Sequence, residues 1–261
     1  MKEVAQDTFI RGVIMEMSLS KDLAIDIRNV SKKFILDNGK SINVLKNISL
    51  TASCGEFISI VGVSGSGKST LLKCMASLLQ PSDGSVYING IDPYSLSDSK
   101  LAKLRREQIG FIFQSYNLIS ALPVSENIAI NLRLSHKKVD FQKIDKLLSE
   151  LHFKADKGSF INSLSGGEQQ KVAIARVLIS NSDIIFADEP TGALDSVSRE
   201  DIFTILKSLC KMGKCIIMVT HDIEMASNTD RALILRDGKI MQELIHPTEE
   251  RLYAALRKKE D

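Results

Sequence analysis

Phe57-Ile58-Ser59-Ile60-Val61-Gly62-Val63-Ser64-Gly65-Ser66-Gly67-Lys68-Ser69-Thr70 is the stretch on which the fold of this chain turns. Its first five residues form an apolar, largely β-branched run that ends directly in glycine, the pattern of a buried central strand. The rest matches G-x-x-x-x-G-K-[ST], a phosphate-binding loop set between a strand and a helix. Glycines let the backbone wrap phosphates with its N–H groups pointing inward, and the helix that follows adds the positive end of its dipole. Lys68 supplies a point charge to the β- and γ-phosphates, and Ser69 a hydroxyl for Mg²⁺. The plain alternative, a Gly/Ser-rich turn, does not account for the full pattern between strand and helix.

Working outward, Ile184-Ile185-Phe186-Ala187 runs into Asp188-Glu189-Pro190. Two carboxylates at the carboxyl end of a buried parallel strand lie where open α/β sheets bind ligands. Asp188 is placed to hold Mg²⁺, and Glu189 to orient or deprotonate an attacking water. Gln114 follows the apolar run Phe111-Ile112-Phe113, and its amide can reach the metal or the water. His221 follows the strand 215–219 and Thr220 and can contact the γ-phosphate. For Gln114 and His221 alike, an ordinary polar residue at a strand end is the competing reading.

A second glycine pair opens a helix at Leu164-Ser165-Gly166-Gly167-Glu168-Gln169. It reads as another anion-binding helix N-terminus, with the Ser165 hydroxyl and closely approachable backbone N–H groups. Two such sites on one chain allow two copies to close a nucleotide between them.

Strand patterns at 23–30 and 42–50 alternate apolar and polar residues and predict a half-exposed antiparallel layer. A helix is expected at 68–79 and a short strand at 85–88. Residues 125–134, 141–151 and 168–179 read as helices with no strand between them. Beyond them, strands at 183–187, 214–220 and 232–236 alternate with helices at 197–211 and 223–227, which implies a mostly parallel sheet. The expected architecture is therefore an α/β phosphate-loop NTPase core, mostly parallel, with an antiparallel β layer and an inserted α-helical subdomain at about 115–180. One domain spans 23–245, residues 246–261 form a C-terminal helix, and 1–22 are an extension. In that extension Phe9, Ile10, Val13, Ile14 and Met17 share one helical face, while a start at Met15 or Met17 is the alternative.

The 261 residues are 44% hydrophobic, enough for a sizeable core, and carry a net charge of +2, so no nucleic-acid partner is expected. No apolar run approaches the roughly 18 residues of a membrane span. Cysteines at 54, 74, 210 and 215 lack C-x-x-C spacing and read as reduced thiols. His136, His152 and His246 are isolated and read as surface or capping residues.

In order along the chain, the phosphate loop, Gln114, Leu164–Gln169, Asp188-Glu189, Asp195 in Gly192-Ala193-Leu194-Asp195, and His221 resemble an ABC-type ATPase subunit from about residue 23 to 240. The resemblance implies ATP and Mg²⁺ as ligands and a head-to-tail homodimer, each ATP lying between one phosphate loop and the partner's Ser165–Gly167. It further implies that Glu189 polarises the water, His221 supports the γ-phosphate, Asp195 communicates across the dimer and Phe34 stacks on adenine. Val44–Leu50, Ile109–Leu118 and Glu189–Ser196 are similar to ATPases of macrolide-export, lipoprotein-release and bacitracin-type peptide-resistance systems; Gly192-Ala193 leans toward the drug and peptide group. Such subunits sit on the cytoplasmic face of the membrane through a separate integral membrane permease. A lipoprotein-release or cell-division type ATPase acting on a permease-like partner is the alternative. The loop 116–122 is the expected permease-facing surface, with core packing as the competing reading. Val63, Cys54 and Lys171 depart from the residues usual in the family, and none removes a group the chemistry needs.

Overall fold

The computed structural model describes residues 23–37, 39–192 and 194–257, so the extension 1–22 and the last four residues lie outside it. Two sheets organise the described chain. A three-stranded antiparallel sheet has β1 (Leu23–Ile35) between β2 (Ser41–Ser53) and β4 (Asp83–Ile88). A six-stranded sheet runs β5-β6-β7-β3-β8-β9, with β3 (Phe57–Val61) in its interior. Within it β5 (Ile109–Ile112), β6 (Ile184–Asp188), β7 (Cys215–Val219), β3 and β8 (Arg231–Arg236) pair parallel in that order. The edge strand β9 (Lys239–Ile245) pairs antiparallel with β8.

The helices are α1 (Lys68–Met75), α2 (Asp98–Gln108), α3 (Val124–Leu134), α4 (Phe141–Glu150), α5 (Gly166–Ser180), α6 (Ser196–Lys211), α7 (Ile223–Ser227) and α8 (Glu249–Arg257). Alternate residues of each central strand serve two cores. Ile58, Ile60, Phe186 and Ile217 face one side, where α1 and the antiparallel sheet cover them. Phe57, Ile185, Ile216 and Met218 face the other, under α3, α4, α5 and α6. Phe57 and Phe186 are almost completely buried, each burial favouring the fold by about 1.5–3 kcal/mol.

The mostly parallel core, the antiparallel layer and the helices between Gln114 and β6 match expectation. The differences have physical causes. Strands β1 and β2 extend well beyond 23–30 and 42–50, because ladder pairing continues through polar positions out to Ile35 and Ser41. Helix α1 stops at Met75 and not at 79, since Ser77 adopts a left-handed φ of 57° and the Leu78 and Leu79 N–H groups fold back onto Lys73 O. Helix α2 and strands β5 and β9 had no clear signal: α2 is strongly polar, and β9 exposes most of its residues at the sheet edge. The C-terminal helix, expected over 246–261, begins at Glu249 because β9 runs to Ile245 and His246 takes a φ of 45°, and it is described as far as Arg257. His136 and His152 also lie in the left-handed region, each directing its N–H back to the helix it follows, which is the capping position expected.

The described residues contain no disulfide. Burial pushes the Cys74 and Cys210 thiols up to about 11. Among the described residues no helix is long and apolar enough to cross a membrane.

Candidate functional site

The carboxyl ends of β3, β6 and β7 converge with the start of α1 on a pocket of about 510 Å³. Gly62, Ser64, Gly65 and Gly67–Thr70 form its floor, and Gln114, Glu189 and His221 stand around it. Four chain segments far apart in sequence are thus delivered to one cavity by parallel strand pairing.

Within the loop, Gly67 holds φ at 102° and caps α1. A Cβ there would stand 2.9 Å from Val44 O and 3.0 Å from Leu45 Cδ2. The antiparallel layer therefore presses directly on the phosphate loop, and Val44 forms part of the pocket wall. Lys68 Nζ donates to Gly62 O and Val63 O, both at 2.9 Å, which folds the ammonium across the loop. Burial lowers the Lys68 pKa, opposed by the charges of Glu189 and Asp188. Ser66 points a buried Oγ that has no protein partner, while Val63 is exposed and lies off the cavity lining.

Ser69 Oγ donates to Asp188 Oδ1 at 2.8 Å, joining helix α1 to the end of β6. A hydroxyl, a carboxylate and the nearby Gln114 are hard oxygen donors, the set that suits Mg²⁺ with phosphate oxygens and water completing its shell. The observed donors therefore fit that ion. Glu189 adopts a left-handed φ of 51°, with its N–H donating to Val219 O at 3.0 Å. That turn carries its side chain to His221, whose Nδ1 is 2.8 Å from Glu189 Oε2. Glu189 is only 14% exposed and His221 75%, so the carboxylate sits beneath an accessible imidazole.

Leu164–Gln169 do not line this pocket. Ser165 caps α5, its Oγ accepting from Glu168 N at 3.3 Å, which leaves the hydroxyl proton available for donation. Gly166 and Gly167 form the first turn. Gln169 Nε2 donates locally to Ile161 O and Leu164 O, Leu164 packs against the core, and Glu168 Oε1 accepts from Lys154 N. Asp195 caps α6 through bonds from Ser198 N and Ser198 Oγ, at 3.0 and 2.9 Å, which hold its carboxyl below the usual range. Phe34 lies off the pocket lining, near the end of β1, with Lys32 Nζ 5.2 Å above its ring.

Sequence reasoning did not single out Val44, Val219, Gln170 or Arg176. Val44 and Val219 are ordinary strand residues, and only sheet packing brings them to the cavity. Gln170 and Arg176 sit inside an otherwise apolar helical pattern, a signal that buried polar side chains have specific partners. The loop 116–122 is held by Asn127, which accepts from Ile119 N and donates to the carbonyls of Ile119, Leu122 and Pro123. Leu118 packs inward while Ile119 is 43% exposed, so the loop serves both packing and surface. The unusual Lys171 is buried and donates to His152 O at 3.0 Å.

The sequence pattern of the family described as ABC transporter matches residues 45–192. The chain is 41% identical over 221 residues to the macrolide export ATP-binding/permease protein MacB of Neisseria meningitidis serogroup B, covering 84% of this chain and 34% of that protein. It thus spans about a third of the length of such relatives. It is 42% identical over 226 residues to the uncharacterized ABC transporter ATP-binding protein MJ0796 of Methanocaldococcus jannaschii, covering 84% of this chain and 96% of that one. The dimeric post-hydrolysis structure of MJ0796 with ADP and Pi superposes with a TM-score of 0.81 at 39% identity, covering 86% of this chain and 99% of the other.

Proposed function

Because this chain belongs to the ABC transporter family and carries its ATPase domain, we propose that it hydrolyses ATP as a head-to-tail homodimer and drives a separate integral membrane permease from the cytoplasmic face. The observation that carries this reading is the 2.8 Å Glu189–His221 pair facing the phosphate loop, while Ser165–Gly167 lie off the same cavity. A site with base and loop in one copy and a second anion-binding helix end elsewhere is completed by a second copy.

The pocket geometry and the family resemblance together support the following residue roles. Gly62, Val63, Ser64, Gly65, Ser66 and Gly67 present backbone N–H groups to the phosphates, and Lys68 and Thr70 extend that cradle. Ser69, Asp188 and Gln114 would hold Mg²⁺, which would neutralise phosphate charge when bound. Glu189 accepts a proton from water, and His221, whose Nδ1 lies 2.8 Å from Glu189 Oε2, supports the γ-phosphate beside it. Phe34 offers an aromatic face for adenine beyond the phosphate pocket. Leu164–Gln169 present the half-site in trans, with Ser165 donating its free hydroxyl proton. Asp195, which caps α6, communicates across the dimer.

Similarity to MacB, whose name records macrolide export, supports export of, or resistance to, antimicrobial drugs or peptides. The permease docks on the loop 116–122, where Ile119 is exposed on a backbone that Asn127 holds in one shape. The test is Glu189→Gln: with ATP and Mg²⁺ the variant should persist as a dimer in size-exclusion chromatography while turnover falls by about 10²–10⁴-fold, the span of a general base. Hydrolysis at the parental rate would remove Glu189 from the mechanism. Co-purification of a lipoprotein-release or division-type partner would redirect the transport assignment.

A further inference from the structure

Another cavity, of about 340 Å³, opens where the inserted helices meet the sheet and α6, and it shares no lining residue with the phosphate pocket. Helical spacing builds its walls. Lys143, Leu147 and Glu150 recur on one face of α4, and on the opposite side stand Ile205 and Leu209 of α6 with Met212 just past its end. Val177 of α5 and Ile185 of β6, both almost completely buried, close the interior. Ile185 precedes Asp188 by three residues, about 10 Å along the strand, so the cavity lies toward the amino end of β6 and away from the phosphate loop.

The walls are apolar within and cationic at the rim. Leu147, Leu178, Ile205 and Leu209 pack on the core yet are only half-buried, so each turns apolar surface to the opening. At about 30 Å³ each, on the order of ten waters fill such a volume. Against hydrocarbon walls those waters find few partners, and an alkyl chain that displaces them is favoured. Met212, 76% exposed, is a flexible thioether able to fold over a guest.

The charges decide what such a chain must carry at its end. Lys214 Nζ donates to Ser182 O at 2.6 Å, beside the end of α5, whose partial negative charge it offsets. Burial lowers the Lys214 pKa, opposed by Asp183, which lies off the lining. Glu150 pairs with Lys146 of its own helix at 3.9 Å. Among the described residues the Lys143 ammonium has neither hydrogen bond nor ion pair, which leaves an uncommitted cation at the rim of an apolar cavity. Apolar walls with a few placed polar groups are the usual make-up of a small-molecule site.

We propose that this cavity binds a small anionic amphiphile, a medium-chain carboxylate whose alkyl chain lies between α4, α5 and α6 and whose head meets Lys143 and Lys214. The site requires neither ATP nor a second copy of the chain, so it stands apart from the nucleotide reading above.

The experiment titrates decanoate calorimetrically into the full chain without nucleotide, with octanoate and decanol as comparisons and thermal melting of each variant. One decanoate per chain should bind saturably, roughly tenfold tighter than octanoate, which has two fewer methylenes to bury. Decanol should bind more weakly than decanoate. Lys143→Glu, at an exposed position, should weaken decanoate about tenfold, because an attraction is replaced by a repulsion of similar size. Leu209→Trp, which fills the cavity, should abolish binding; if melting shows it unfolded, Met212→Trp at the exposed mouth takes its place. No saturable binding with a Kd below about 1 mM, or affinity unchanged in the folded Trp variant, would overturn the site. Decanol binding as tightly as decanoate, or Lys143→Glu binding decanoate as the parent does, would overturn the anionic class of ligand.

Discussion

Replacing Gly67 by alanine tests how the antiparallel layer shapes the phosphate loop. Two independent costs meet at this residue. Its φ of 102° is a region that non-glycine residues avoid, which by analogy with left-handed conformations costs about 1–2 kcal/mol. The added Cβ would also lie 2.9 Å from Val44 O and 3.0 Å from Leu45 Cδ2. Against an ordinary C···O approach of about 3.3 Å, the β2 backbone or the loop must yield by roughly 0.4 Å. Overpacking of this kind costs about 1–3 kcal/mol, because a paired strand cannot shift alone. The sum is about 2–5 kcal/mol. Gly90→Ala provides the control: φ is 76°, and a Cβ there meets nothing within 4 Å, so only the conformational part of about 1–2 kcal/mol applies. Urea unfolding of both variants gives the difference directly, and nucleotide binding by Gly67→Ala should weaken because Lys68 follows on the displaced turn. If Gly67→Ala were no less stable than Gly90→Ala, the claim that β2 braces the loop would be refuted.

Two further outcomes follow from the side-chain bonds. Asn127→Ala removes an amide whose two N–H groups are shared among the carbonyls of Ile119, Leu122 and Pro123 and leaves the Ile119 N–H without its acceptor; denaturant unfolding should show a loss of about 2–4 kcal/mol, since carbonyls and a partly buried donor are left unpaired, and a loss under 1 kcal/mol would mean the loop is held elsewhere. Asp195 has its folded pKa depressed by Ser198, so its contribution is fully present above the ordinary carboxylate value of about 3.9 and is lost as pH falls through the lower folded value. The melting temperature of Asp195→Ala should therefore fall below the parent at neutral pH and converge with it in acid; a gap that stayed constant into acid would dissociate the cap from its charge.

The legible parts of the site were those in which local chemistry repeats a fixed spacing. Gly62–Thr70 announced itself because phosphate binding needs glycines, a lysine and a hydroxyl within one turn, and Asp188-Glu189 because carboxylates directly ending an apolar strand are conspicuous. Less visible were partners that depend on register. That Ser69 bonds Asp188 across 119 residues follows from β6 lying next to β7 and β7 next to β3. Strands β5 and β9 were obscured for opposite reasons: one is four residues long between a polar helix and a loop, and the other is an exposed edge without clean alternation. Phe34 shows the limit of motif transfer, since its place in the chain suits adenine stacking while the described pocket ends before reaching it.

By itself the sequence determined a phosphate-loop motif on a mostly parallel sheet and a second helix opened by a serine and two glycines, because each depends on residues close together in the chain. Tertiary structure alone decided what those parts face. Glu189 reaches His221 because its left-handed turn aims the carboxylate sideways from β6. Ser165–Gly167 lie off the lining of their own phosphate pocket, on a helix that Gln170 and Arg176 anchor to Pro190 and the Tyr116 turn. Those orientations arise from packing between segments far apart in sequence, and no local pattern of residues encodes them.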